Sequence, residues 1–422
     1  MSLAAAPVDA AAGLQAGALE GVRVLDLSRV LAGPWAAQTL GDLGAEVIKV
    51  ERPGSGDDTR TWGPPYVKDR EGQPTRDAAY YLCTNRNKKS IAVDLAAPEG
   101  QALVRELALQ SDVLIENFKA GSLAQYGLDY ECLSALNPRL VYCSITGFGH
   151  SGPYAQRAGY DFLIQGMGGL MSITGQPDGA PGAGPMKVGV ALTDILTGLY
   201  ASTSILAALQ ARERTGRGQH IDLALLDVGV ACLANQAMNY LHGGQSPRRM
   251  GNAHPNTVPY QDFPTADGHM ILAIGNDGQF ARFCVAAGHP TMATDPRYVT
   301  NRDRLAHREE LVTRLREITR TRATAEWITL LEAAGVPCGP INTIADVFAD
   351  PQVQARGMPL QMEHPQLGTM ALVASPMHLS DTPVQYREAP PQLGQHTRDV
   401  MREVLDMDEQ RIAALMAQGV LA

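Results

Sequence analysis

No CxxC pair occurs in this chain. Its six cysteines, Cys83, Cys132, Cys143, Cys232, Cys284 and Cys338, are scattered. That excludes the usual zinc and dithiol spacings, and it reads as reduced thiols used as core filler. A GxGxxG turn is missing too, which removes the dinucleotide fingerprint of nicotinamide enzymes. Positive charge is outweighed: 35 Lys and Arg face 44 Asp and Glu, a net charge of −9. Bulk electrostatics therefore do not favour nucleic acid as a partner. The first 19 residues contain no Lys or Arg, so they read as a frayed leader rather than a signal peptide, and the expectation is a cytoplasmic protein. Between Val188 and Ala211 the only charge is Asp194. The Thr and Ser residues there favour a buried helix over a membrane span. No metal site is expected.

Aromatic residues make up only 5%, while 42 Gly and 27 Pro are present among 45% hydrophobic residues. That balance suits a loop-rich α/β enzyme more than an aromatic-rich sandwich. VRVLDLS, AEVIKVE, SIAVDL, DVLIENF and RLVYCSITGFG read as strands. WAAQTLGDLG, PEGQALVRELALQ and YECLSALNP read as the helices between them. Alternation over 150 residues implies an α/β fold built on a mostly parallel, Rossmann-like sheet. Residues 160–242 read as mainly helical around the strand HIDLA. Near residue 245 the texture changes to a Pro- and Asn-rich loop. YQDFPTADGHMILAIG then reads as a hairpin turning at Asp-Gly. The length predicts two domains. The division expected is 1–19 leader, 20–244 large domain, 245–335 smaller α+β domain, and 336–422 returning to the large one.

Three stretches point to chemistry. RVLAGPWAAQ joins a strand to a helix, where free amides favour an anion. IKVERPGSGDDTR ends a strand at Arg52 before a glycine-rich loop suited to phosphate. It opens a locally basic zone, Lys49 to Lys89, able to receive a small polyanion; the bland alternative is a solvated, mixed-charge surface. The third is Asp194, a lone carboxylate among apolar residues. It is either a helix N-cap satisfied by amides, or an ionised nucleophile supported by Thr193 or the helix dipole.

Together these segments resemble the class III CoA-transferases, the family of formyl-CoA and carnitine-related CoA-transferases. The likeness rests on LDLSRVLAGPWAAQTLGDLGAEVIKVERPGSGD, NRNKKSIAVDL, DVLIENF, ALNPRLVYCSITGFG, GYD, GVALTDILTGLYA and TGRGQHIDLALLD, in that order over residues 20–400. NYLHGGQSPRRMGNAHPNTVPYQDF, GNDGQF and GVPCGPINTIADVFADPQV look most like its succinyl-CoA:glutarate members. The resemblance implies an interlocked homodimer, an acyl-CoA and a free carboxylic acid as substrates, and coenzyme A as substrate and product rather than a resident cofactor. It places the nucleophile at Asp194 and the CoA contacts at Arg29, Leu31, Ala32, Arg52, Val93, Asp94, Asn117 and Phe118. Gln125 departs from the family, standing where relatives carry an Arg. The catalytic loop falls on Ala253, His254, Pro255, Asn256 and Thr257.

The mechanism so implied runs through an aspartyl anhydride and an aspartyl-CoA thioester. Backbone amides of 253–257 are expected to stabilise the oxyanions, and Arg249 and His254 to bind the far carboxylate of a dicarboxylic acid. Two alternatives stand beside it. An α-methylacyl-CoA racemase of the same family needs a second acid/base group, and places a His where this chain has Tyr160. A phenol titrating near ~10 is a poor substitute. The other alternative is a non-catalytic CoA-binding protein.

Overall fold

The computed structural model describes residues 16–422. Of the expected leader, residues 1–15 lie outside the described residues, whereas 16–19 are held down. The Leu19 N–H donates to Leu43 O at 2.9 Å, and its side chain packs on the core.

Six strands form one sheet: β1 (Arg23–Asp26), β2 (Glu46–Glu51), β3 (Lys88–Ala92), β4 (Val113–Glu116), β5 (Val141–Thr146) and β6 (His220–Ala224). All neighbours are parallel and the order is β3-β2-β1-β4-β5-β6. Most strand residues are buried, which is why the strands read as near-continuous apolar runs. Helix α1 (Ala32–Asp42) packs on one face and α2 (Pro98–Leu109) on the other, each over its own apolar cluster. Strand order reverses at β1. In open α/β sheets the crevice at such a reversal, beyond the strands' carboxyl ends, is where ligands bind.

Two further helices shape the site, α3 (Asp161–Met167) and α4 (Leu192–Thr215). α4 is long and apolar enough to cross a membrane by length and composition. Here it buries Thr193, Thr197, Ala201, Ile205, Ala208 and Arg212 along one face. It lies against α1 at Gly198, where an added Cβ would stand 2.7 Å from Ala32 O and 3.0 Å from the Trp35 Cβ.

The chain divides into two units, one comprising residues up to Leu170, Val188–His242 and Pro351–Ala422, the other Met171–Lys187 and Gly243–Asp350. These bounds differ from the sequence expectation in two places. Cys338–Pro340 pairs antiparallel with His269–Ala273, so residues 336–350 stay in the second unit and the chain rejoins the first at Pro351. Residues 171–187 belong to the second unit as well, tied by the Gly251 N–H to Gly175 O at 3.1 Å. The expected hairpin is present as Tyr260–Pro264 and His269–Ala273, and helices close over Phe263, Phe280, Phe283 and Trp327. The first unit adds two hairpins, Tyr66–Lys68 with Pro74–Ala78 and Pro359–His364 with Gly368–Val373.

Candidate active site

A cavity of about 370 Å³ opens beyond the carboxyl ends of β1, β2, β3 and β4. Arg29, Arg52, Val93, Asp94 and Phe118 all line it. Asn117 lies behind the rim and brackets the Arg29 backbone. Its Oδ1 accepts the Arg29 N–H (3.0 Å) and its Nδ2 donates to Arg29 O (2.7 Å). Leu31 and Ala32 have side chains buried in the core, so only their backbone at the start of α1 can meet a ligand. Gln125 folds onto Ser122 O at 2.9 Å, away from any ionic role.

The buried cations of the basic zone are not free. Lys49 pairs with Asp57 (2.9 Å), Lys88 with Asp26 (2.9 Å), Arg86 with Asp42 (2.6 Å), and Arg60 with Glu51 (2.7 Å) and Asp77 (2.9 Å), all buried. Lys89 pairs with Glu46 at 2.8 Å. Buried cations need such partners, and here strands, helix α1 and the loop after β2 supply them. Arg52 is the exception at the cleft: it is exposed and makes no ion pair among the described residues. Arg29 pairs only with exposed Asp58 at 3.0 Å. The turn after β1 holds Val30 at φ 73°, a costly conformation for a β-branched residue. Asp57 accepts its N–H at 3.2 Å and so pins that turn to the loop after β2.

Asp194 sits in the first turn of α4. It is not the N-cap, which is Ala191, and Thr193 does not serve it either. The Thr193 N–H (2.8 Å), the Thr193 hydroxyl and the Asp194 N–H (3.4 Å) all converge on Asp161 Oδ1. Asp161 opens α3, and its Oδ2 accepts from Gln165 Nε2 at 2.7 Å. Asp161 therefore takes the amides of α4, while the Asp194 carboxylate accepts no hydrogen bond among the described residues. Burial pushes its carboxyl up to about 7, and the charge of Asp161 adds to the shift. The environment favours the neutral acid, contrary to the expected stabilised anion.

Tyr80 went unnoticed in the sequence. Its ring meets Trp62 edge-on at 5.4 Å. Burial pushes its phenol up to about 12, with Cys83 and the charges of Asp194 and Asp161 adding to this. The Tyr80-Tyr81 pair was its only sequence signal. Tyr160 lies one residue before Asp161 and is 63% exposed.

In the second unit, the 253–257 loop is clamped by its carbonyls. Arg308 Nη2 donates to His254 O (3.0 Å) and Pro255 O (2.9 Å), and Asn301 Nδ2 to Asn256 O (2.9 Å). Its amides are largely engaged. Ala253 N–H binds Met250 O, His254 N–H binds Tyr260 O, and Asn256 N–H binds His254 Nδ1. Pro255 has no N–H. Thr257 alone keeps a free amide among the described residues, so the expected set of oxyanion donors shrinks to one. The His254 contact leaves Nε2 as its only ring nitrogen able to donate. Arg249 is engaged by Asp178 and by Gln176 O, so it is not the open cation that the sequence suggested.

A parallel sheet with a cleft at its strand-order reversal is the arrangement of an α/β ligand-binding fold. The model of CoA-transferase family III matches residues 19–397, and the chain belongs to that family. It is 55% identical over 391 residues to a succinate–glutarate CoA-transferase of Agrobacterium fabrum, covering 92% of this chain and 95% of that one. A human succinyl-CoA:glutarate CoA-transferase is 46% identical over 403 residues, covering 96% and 90%. A CAIB/BAIF family protein from Brucella suis, known from its crystal structure, superposes with a TM-score of 0.80 at 52% identity, covering 92% of this chain and all of that one.

Proposed function

We propose that this protein moves coenzyme A from succinyl-CoA to a C4–C5 dicarboxylic acid, glutarate foremost, with Asp194 as the group that is acylated. The observation that carries the reading is the state of the Asp194 carboxylate: half-buried, with no ion pair and no hydrogen bond among the described residues. A carboxylate stripped of solvent and partners is more nucleophilic than one held by amides. Its oxygen attacks the donor thioester carbonyl, the C–S bond breaks, and CoA leaves as thiolate. The thiolate then attacks the aspartyl carbonyl of the anhydride and releases the donor acid as carboxylate. The acceptor carboxylate attacks the aspartyl thioester, expelling CoA again, and the thiolate takes the new acyl group while Asp194 is regenerated. Each step exchanges one acyl bond for another, so no nucleotide is consumed.

Arg52, Arg29 and the backbone of Leu31 and Ala32 would hold the coenzyme phosphates, with Val93, Asp94, Asn117 and Phe118 shaping the cleft around the rest. The substrate names of the relatives support the dicarboxylate. Comparing glutarate with butyrate tests this. Losing a well-paired carboxylate contact should cost on the order of 2–4 kcal/mol, or tens to hundreds of fold in kcat/KM. Equal values would refute the dicarboxylate preference and leave CoA transfer standing.

The active form is proposed to be the interlocked homodimer that the resemblance implies. The apolar surface supports it. The helix Ala234–Gly243 buries no residue in the chain, and Leu241 is 67% exposed.

A further inference from the structure

Beside the cleft runs a row of polar side chains that the transfer chemistry does not use. Glu116 closes β4 and is buried, and its register partner on β5 is Ser144. The Ser144 hydroxyl meets His220 Nε2 at 2.9 Å. The His220 ring stacks on Tyr130 (5.0 Å) and meets His150 edge-on (5.3 Å). Asp222 on β6 accepts the His150 N–H at 3.0 Å. No cation pairs with Glu116 among the described residues. Burial pushes its carboxyl up to about 7, and the charge of Asp222 adds to this. An unpaired buried acid is expensive, so its retention asks for a reason.

The geometry supplies one. Glu116 Oε2 accepts the Phe118 N–H at 2.8 Å and so closes the turn that follows β4. That turn displays Asn117, which brackets the Arg29 backbone from both sides, and Phe118, which lines the cleft. Arg29 follows β1 and Phe118 follows β4, the two strands between which the sheet order reverses. We propose that Glu116 is a positioning residue for coenzyme binding: it fixes the turn at 116–118 and, through Asn117, the spacing of the two lips of the cleft. The inference rests on reading that cleft as the coenzyme site.

Calorimetry of CoA binding to the Asp194→Ala protein, which lacks the other carboxyl pushed up to about 7, tests it. Adding Glu116→Ala should weaken binding about tenfold or more, the loss expected for a hydrogen bond to a charged group. Glu116→Gln keeps an acceptor oxygen and should recover most of that loss. It should also flatten the pH profile between pH 6 and 8. Where Glu116 is present, affinity rises as its carboxylate ionises and accepts the Phe118 N–H more strongly. Tyr142, Cys143 and Ser144 on β5, His220 and Asp222 on β6, His150 after β5 and Tyr130 on its helix face the same region. They are common to both proteins, as are the coenzyme phosphates, so the difference between the two profiles isolates Glu116. Superimposable profiles and unchanged affinity overturn the proposal. Should Glu116→Ala fail to fold, the comparison of Glu116→Gln with its parent decides alone. Arg52→Ala separates the two levels. If it leaves CoA affinity unchanged, the cleft is not the coenzyme site and both readings fall. If it weakens binding while the Glu116 variants do not, only the role of Glu116 falls.

Discussion

A carboxylate in the first turn of a helix is ordinarily stabilised as an anion by the local amides and the helix dipole. At Asp194 those amides belong to Asp161, and the charge they leave unpartnered is the one proposed to react. Asp194→Asn should abolish transfer yet stabilise the protein. The folded carboxyl, at about 7, lies above its unfolded value near 3.8. The native state therefore binds the extra proton between those values, and stability falls as pH rises through that window. The gain from Asn should be small near pH 4 and reach roughly 1–3 kcal/mol above pH 7, after discounting for partial exposure. Urea denaturation at pH 5 and pH 8.5 measures it; a gain of equal size at both would contradict the electrostatic account. The nucleophile must be ionised, so kcat/KM should decline as pH drops below about 7. Asp161→Asn removes the charge that helps raise Asp194 and should move that decline to lower pH. At the cleft, Arg52→Ala should raise KM for acyl-CoA about 10- to 150-fold, the worth of a charge-assisted hydrogen bond, while leaving KM for the free acid in place.

At the scale of elements, α1 and α4 set where Asp194 stands. Gly198, four residues beyond it, admits the backbone of Ala32 and the Trp35 side chain at distances a methyl group would violate. Gly198→Ala should therefore push α4 off α1, with a loss of about 1–3 kcal/mol in chemical denaturation and a fall in kcat larger than the change in KM for acyl-CoA. An unchanged kcat would show that the helix contact does not place the nucleophile. The sheet strands and their connecting helices were legible in the sequence because each strand is one apolar run set off by turn residues, and each helix has its own period. The Asp161–Thr193 bond joins residues 32 apart, and the Lys88–Asp26 pair joins residues 62 apart. No local pattern announces such partners, so the basic zone read as open and Thr193 as support for Asp194. The same holds for Arg249, whose neutralising Asp178 lies 71 residues away. Tyr80 was invisible for a related reason: only the fold brings its phenol within reach of the charges on Asp194 and Asp161.

At the scale of the whole molecule, the division between the two units was legible near residue 243, where composition changes, but not at 171–187 or 336–350. Those segments join the second unit by strand pairing and backbone bonds that composition does not reveal. Large apolar side chains left exposed at Leu199, Tyr200, Leu241 and Ile344 predict a second copy covering them. Light scattering should return twice the chain mass, and a stable, active monomer would contradict the dimer. The central claim is covalent, and trapping tests it most directly. Turnover with succinyl-CoA in the presence of hydroxylamine, followed by peptide mass spectrometry, should convert Asp194 to its hydroxamate and stop catalysis in step with the modification. Continued turnover with Asp194 unmodified, or a hydroxamate on another carboxylate, would contradict the account.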